Sequence, residues 1–141
     1  MNVHAIPAGF ERVASADPYE RNNALDQVLE LGGGRVEVGL LAEEIHANEY
    51  GIVHGAVLMM LADAALCMNS RWHDKAEGAL TVSITSNFVE SAAIGEFVQS
   101  RTHVTRRTRN LTFASCEIVV DERVCLQATG IIKRLNPKKP A

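Results

Sequence analysis

At 141 residues the chain is long enough for one domain with a real core, and 47% hydrophobic against 22% charged residues is the balance of a folded globule, which excludes a disordered chain. Fourteen basic against 17 acidic residues give a formal net charge of -3, so no overall field favours nucleic acid or an anionic membrane as a partner. Cys67, Cys116 and Cys125 are odd in number, show no C-x-x-C spacing and follow no signal-peptide pattern, so a reducing compartment, the cytoplasm, is expected.

In chain order, residues 1–24 form an arm in which Pro7, Gly9 and Pro18 interrupt any long pattern, leaving room for one short helix. Val28, Leu29 and Leu31, then Val36, Val38, Leu40 and Leu41, flank Gly32-Gly33-Gly34 and predict two strands, 26–31 and 35–42, joined by a glycine turn. No G-x-G-x-x-G opens a helix there, so these glycines are no nucleotide fingerprint. A helix is expected from about Gly55 to Asn69, apolar around its circumference and therefore covered on nearly every side. The apolar run 53–68 is shorter than the ~20 residues of a membrane span and carries Asp63 deep within it.

After the charged stretch Arg71–Glu77, alternation of period two takes over. Runs around Leu80–Phe88, Val98–Thr105, Thr112–Val120 and Val124–Ile132 predict four consecutive strands, linked as hairpins through turns at 93–95, 108–110 and 121–123. The tail 136–141 reads as solvated, and neither an internal repeat nor a second domain is visible. Two strands, one helix and four strands make an α+β chain, in which an antiparallel sheet curls around a helix that cannot cover itself.

The chemistry concentrates in Asn48-x-x-Gly51-x-x-His54-Gly55, followed eight residues later by Asp63. A lone carboxylate in an apolar helix needs a partner or a task. With this N-x-x-G-x-x-H-G-(x)7-D pattern, the strand Thr81-Val82-Ser83-Ile84 and the Asn87-Phe88 pair, the chain resembles the hotdog-fold acyl-CoA thioesterases of the phenylacetic-acid-degradation type, from about Val28 to Ile132. Ala56 departs from the family's usual second glycine, a change that bears on substrate range. The resemblance implies the hotdog fold and hydrolysis of an acyl-CoA to free acid and coenzyme A, with no cofactor beyond the coenzyme A of the substrate. It also implies a homodimer with shared sites, with pairing into a tetramer as the larger option.

The residues support the same chemistry by themselves. Unpaired N–H groups at a helix N-terminus suit a carbonyl oxygen that gains negative charge, and Gly55, without a Cβ, admits it closely. Asp63 lies about 12 Å further along the axis at ~1.5 Å per residue, too far to serve the same oxygen from its own helix. An antiparallel copy in a two-fold dimer would bring it opposite Gly55 of the other chain. There Asp63 acts as general base for water or as nucleophile through a mixed anhydride. Asn48 holds the thioester or the water, and His54 shapes the loop. Ser83 matches a position that assists in some relatives.

Arg106, Arg107 and Arg109 cluster at a hairpin tip, where guanidinium groups suit coenzyme A phosphates. No metal is expected, since His4, His46, His54, His73 and His103 lack ligand spacing. The rival functions are a hotdog hydratase or dehydratase acting on acyl thioesters, and a non-catalytic acyl-CoA-binding subunit. The acyl group stays open between short-chain and aryl.

Overall fold

The computed structural model describes residues 5–71 and 77–135. The predicted tail 136–141, most of the stretch 71–77, and His4 and His73 lie outside the described residues. The elements are β1 (Glu11–Arg12), α1 (Pro18–Asn22), β2 (Gln27–Gly32), β3 (Arg35–Leu41), a 3-10 turn (Glu44–His46), α2 (Gly55–Ser70), β4 (Gly78–Phe88), β5 (Phe97–Arg107), β6 (Leu111–Val120) and β7 (Arg123–Leu135). The strands make one antiparallel sheet in the order β1-β2-β3-β5-β6-β7-β4, and α2 packs on it against β3, β4, β5, β6 and β7. This is the hotdog architecture that the resemblance implies.

The core is the inner face of the sheet pressed on α2. Leu61, Ala62, Ala65 and Leu66 of the helix and Val98, Ile118, Leu126 and Ile132 of the strands are wholly buried, each large one contributing about 1.5–3 kcal/mol of apolar burial. Close approach needs a gap in one strand. A Cβ on Gly130 of β7 would lie 2.8 Å from Leu66 Cδ1, so only glycine lets the helix settle there. Apart from half-buried Gly55 and Met68, the helix is covered except along one line, where Ala56 is exposed and Met59, Asp63 and Cys67 are half-buried. Their spacing of three, four and four residues puts them on one face.

The C-terminus of α2 is fastened by polar side chains. Asn69 donates Nδ2 to the Val36 carbonyl at 2.7 Å and accepts the Val36 N–H on Oδ1 at 3.0 Å, continuing the β3 ladder with a side chain. Farther along, β3 and β5 pair only from Gly39 to Leu41, and beyond that the Glu37 carboxylate bridges the gap by accepting the Thr102 N–H at 2.7 Å.

One expectation changes. β4 and β5 are not a hairpin: β4 pairs with β7 from Gly78 to Phe88 and lies at the sheet edge. The chain after β4 crosses the end of the sheet instead. Val89 N–H bonds the Cys125 carbonyl, the Ala92 carbonyl accepts the Val53 N–H, and Gly95 N–H bonds the Ala42 carbonyl. These long-range bonds, invisible in local alternation, override the hairpin reading of residues 93–95. The arm also holds more order than expected, since β1 pairs with β2 and Asp17 caps α1 by accepting the N–H groups of Tyr19 and Glu20.

Candidate active site

The loop that enters α2 is shaped by its own side chains. His46 is wholly buried; its Nδ1 accepts the Glu43 N–H at 2.8 Å, which leaves Nε2 to donate to the Asn23 carbonyl at 2.7 Å and tie the loop to the arm. Asn48 Oδ1 accepts the N–H groups of Tyr50 at 2.9 Å and Ile52 at 3.3 Å, around Gly51 at φ 78°. Its oxygen is thereby committed. The Nδ2 amide has no partner among the described residues, so what Asn48 has left to offer is a donor.

His54 is the N-cap of α2. Its Nδ1 accepts the Ala56 N–H at 2.9 Å, which places the ring proton on Nε2 and leaves the imidazole no free lone pair for base chemistry. The Val57 N–H is taken by the His54 carbonyl. Between them, the Gly55 N–H has no partner among the described residues and projects from the positive end of the helix dipole. Phe88 of β4 crowds this point: a Cβ on Gly55 would lie 2.9 Å from its Cε1. A side chain here would have to displace the exposed Phe88 ring and would stand beside the N–H.

Asp63 is half-buried on the open stripe of α2, and the Thr81 hydroxyl donates to its Oδ1. Cys67, one turn on, has its Sγ 3.3 Å from Thr81 Oγ1. With the threonine proton given to Asp63, the thiol is the donor in that contact. Burial, with smaller contributions from Asp63 and Glu20, pushes the Cys67 thiol up to about 11 and keeps it protonated, against the opposing Thr81 bond. A chain of donors thus ends on the carboxylate and holds it as an acceptor.

Beside Asp63 opens a cavity of about 400 Å³, lined by Cys67 and Met68 of α2, Leu80 and Thr81 of β4, Val38 of β3, and Ser15 and Glu20 of the arm, among others. Glu20 accepts the Ser15 hydroxyl at 2.9 Å. Its carboxyl is raised above the ordinary value, by burial first and then by Asp17 and Asp63, while the Ser15 bond and Arg71 pull the other way.

Ser83 lies apart from this group. Val82 has no partner on β7, so Thr81 pairs with Ile132 and Ser83 with the adjacent Ile131. This bulge changes the strand's phase: Thr81 faces α2, as do Ile84 and Ser86 beyond the bulge, whereas Ser83 lines a shallow outer groove with Thr85, Thr105 and Thr129. The hydroxyl beside Asp63 is that of Thr81, not of Ser83. The arginines divide as well. Arg106 and Arg109 are exposed, but Arg107 donates to the Asn69 carbonyl at 2.7 Å, at the C-terminus of α2, and burial and nearby Arg134 lower its pKa.

Sequence reasoning missed Thr81, Cys67 and Glu20. Thr81 lies two residues before Ser83 and Cys67 four after Asp63, and it is the packing of β4 on α2 that brings them together, while the bulge turns Ser83 away. Glu20 sits behind Asp17-Pro18, a helix-start signal that predicts α1 but not what α1 covers. Among the described residues no group of three or more His, Cys, Asp or Glu is placed to hold a metal, and no helix is long and apolar enough to cross a membrane.

Comparison with known proteins bears on the family and the fold. The model of the thioesterase superfamily matches residues 50–126, more than half of the chain. A single-residue mutant of the phenylacetic acid degradation protein PaaI of Thermus thermophilus is 25% identical, with a TM-score of 0.75 over 84% of this chain and 100% of that one. The E. coli PaaI protein, at 18% identity, shares the fold with a TM-score of 0.77 over 86% of this chain and 87% of its own. Acyl-coenzyme A thioesterase 13 of Mus musculus is 26% identical over 76 residues, 54% of each chain. With its family model spanning the helix, the Asp63 stripe and the strands around them, the chain belongs to the thioesterase superfamily and is a thioester hydrolase.

Proposed function

We propose that the protein hydrolyses acyl-CoA thioesters as a homodimer with two shared sites, each taking Gly55 from one chain and Asp63 from the other. The observation that carries the shared site is the edge strand. Among the described residues β4 pairs on one side only, and Leu80, Val82 and Phe88 on it are 57%, 59% and 59% exposed. Such an edge calls for a partner. Antiparallel pairing of β4 with its own copy creates a two-fold axis that sets the α2 helices side by side and antiparallel, open stripe towards open stripe. Asp63 of each then comes towards the other helix's N-terminus.

In that site the Gly55 N–H and the Asn48 Nδ2 donate to the thioester oxygen as negative charge grows on it. In the base route Asp63 takes a proton from water, hydroxide adds to the carbonyl carbon, and collapse expels the coenzyme A thiolate, which recovers the proton. In the nucleophilic route the Asp63 carboxylate adds first and water cleaves the anhydride. Single turnover in oxygen-18 water separates them, because only the anhydride route can leave label in the protein. A hydratase would need a free base at the loop, and the hydrogen bond to His54 Nδ1 disfavours one.

Exposed Arg106 and Arg109 supply cations for coenzyme A phosphates, and the free thiols of Cys67, Cys116 and Cys125 favour a cytoplasmic setting. The test is release of free thiol from a panel of acyl-CoAs, followed with a thiol reagent beside the absorbance of an enoyl-CoA. Thiol release without loss of the enoyl signal is expected. Enoyl hydration without thiol release would overturn the reading.

A further inference from the structure

We propose that Glu96, on the chain that crosses from β4 to β5, is a positioning residue of the hydrolysis: its carboxylate fixes the one peptide group that holds the loop 48–55 in place. The inference rests on the reading of Asn48 and Gly55 as donors to the thioester oxygen.

The loop carries those two donors seven positions apart, so its shape sets how they converge on one oxygen. On one side it is fastened to itself and to the residues before it. Asn48 N–H bonds the Ile52 carbonyl at 2.8 Å, and His54 N–H bonds the His46 carbonyl at 2.8 Å. On the other side stands the crossing chain. Ile52 pairs with Ala93 as an isolated bridge, and the Val53 N–H, next to the N-cap of α2, bonds the Ala92 carbonyl at 2.9 Å.

The Ala92 carbonyl and the Ala93 N–H are the two ends of one planar peptide group. Glu96 accepts that N–H on Oε2 at 2.8 Å. A peptide held at both ends cannot swing about its flanking bonds, and a carboxylate at the N–H end polarises it so that its carbonyl accepts more strongly. Glu96 is itself held. Its N–H bonds the Ala93 carbonyl at 3.2 Å, its carbonyl accepts the Ala42 N–H at 2.9 Å, and Arg123 donates Nη2 to the same Oε2 at 2.6 Å. Ala42 follows β3, Glu96 precedes β5 and Arg123 opens β7. Three strand ends thus converge on one carboxylate, which reaches the loop through one peptide.

The test is steady-state kinetics on an acyl-CoA for Glu96→Ala and Glu96→Gln, with folding and assembly checked by circular dichroism and light scattering. Glu96→Ala removes the acceptor and should lower kcat about fivefold to tenfold, with KM within about twofold of wild type. Glu96→Gln still presents an oxygen to the Ala93 N–H and should keep at least about half of kcat. A folded Glu96→Ala dimer at wild-type kcat, a loss that falls on KM alone, or a Glu96→Gln variant as slow as Glu96→Ala would overturn the proposal.

A second measurement separates a misplaced loop from a smaller fraction of folded protein. Glu96→Ala injures the chain that supplies the loop, so its isolated heterodimer with Asp63→Asn keeps one intact site and should run at about half the wild-type rate, above both parents. Paired with Gly55→Val it should gain nothing. The control is the heterodimer of Asp63→Asn with Gly55→Val. With that control active, a Glu96→Ala and Asp63→Asn heterodimer no faster than Glu96→Ala alone would also overturn the proposal. Failure of the shared-site reading looks different: the control itself would be inactive, and the split between Glu96→Ala and Glu96→Gln would decide the role of Glu96 alone.

Discussion

Thr81 on the edge strand donates its hydroxyl proton to Asp63 on the central helix, and Cys67 stands behind it as a further donor. The carboxylate is therefore held in one orientation, which the proposed hydrolysis would use. Thr81→Val keeps the volume and removes the donor, so kcat should fall on the order of tenfold, about 1.4 kcal/mol, with little change in KM. Thr81→Ser should retain most of the rate. Steady-state kinetics on one acyl-CoA checks both.

Asp63→Asn should leave the fold in place, because an amide fits the half-buried position and still accepts from Thr81. Hydrolysis should drop by a factor on the order of 10² or more. Wild-type turnover in a folded variant would make Asp63 structural.

If the sites are shared between chains as proposed, mixtures of variants should behave in a distinctive way. Asp63→Asn and Gly55→Val are each expected to be inactive, the second because its side chain would meet Phe88 and block the N–H. A heterodimer of the two carries both lesions at one site and none at the other. Random exchange should restore about a quarter of wild-type sites. Verified heterodimers no more active than either parent would end the cross-chain mechanism.

The hairpin-tip arginines should separate by phenotype. Arg106→Ala with Arg109→Ala should raise KM for coenzyme A esters and leave KM for a short pantetheine ester nearly unchanged, since only the former carry the phosphates. Arg107→Ala should instead cost about 1–2 kcal/mol of stability by releasing the Asn69 carbonyl, and show as a lowered Tm. Equal KM effects on both esters would remove the phosphate role.

Cys67 offers a pH prediction. With its thiol pushed up to about 11 from 9.0, alkylation by iodoacetamide at pH 8 should be on the order of 10² slower than for an unperturbed thiol. The folded state binds this proton more tightly than the unfolded one, so the group's contribution to stability is complete below pH 9 and is lost as pH rises towards 11. Thermal melts of wild type and Cys67→Ala across that window measure the difference.

Much of the fold is legible in the sequence alone. Apolar periodicity located α2 within a residue of its observed end, and alternation marked four long strands. Asn48, Gly55 and Asp63 stood out because loop geometry, a helix start and a buried charge all leave local traces. What escaped is non-local. Nothing in residues 78–88 says that their neighbour is β7, nor that Val82 goes unpaired, and so the side of the sheet taken by Ser83 could not be read from alternation alone. Arg107 looks like its exposed neighbours until the helix terminus it serves is beside it. Glu20 is separated from Asp63 by 43 positions, and only the tethered arm brings it back to the helix.

The open edge of β4 also determines how the protein fails. Eleven residues of strand, with large apolar side chains exposed at Leu80, Val82 and Phe88, are a template for any passing chain wherever the proposed pairing with a copy is absent. The unpaired Val82 offsets this, since a strand with a skipped position twists away from flat, indiscriminate stacking. Substitutions that spoil the pairing should accordingly give insoluble material more readily than a well-behaved single subunit, and a charged side chain at position 82, on the exposed face of the edge, is the change that would keep such a subunit in solution.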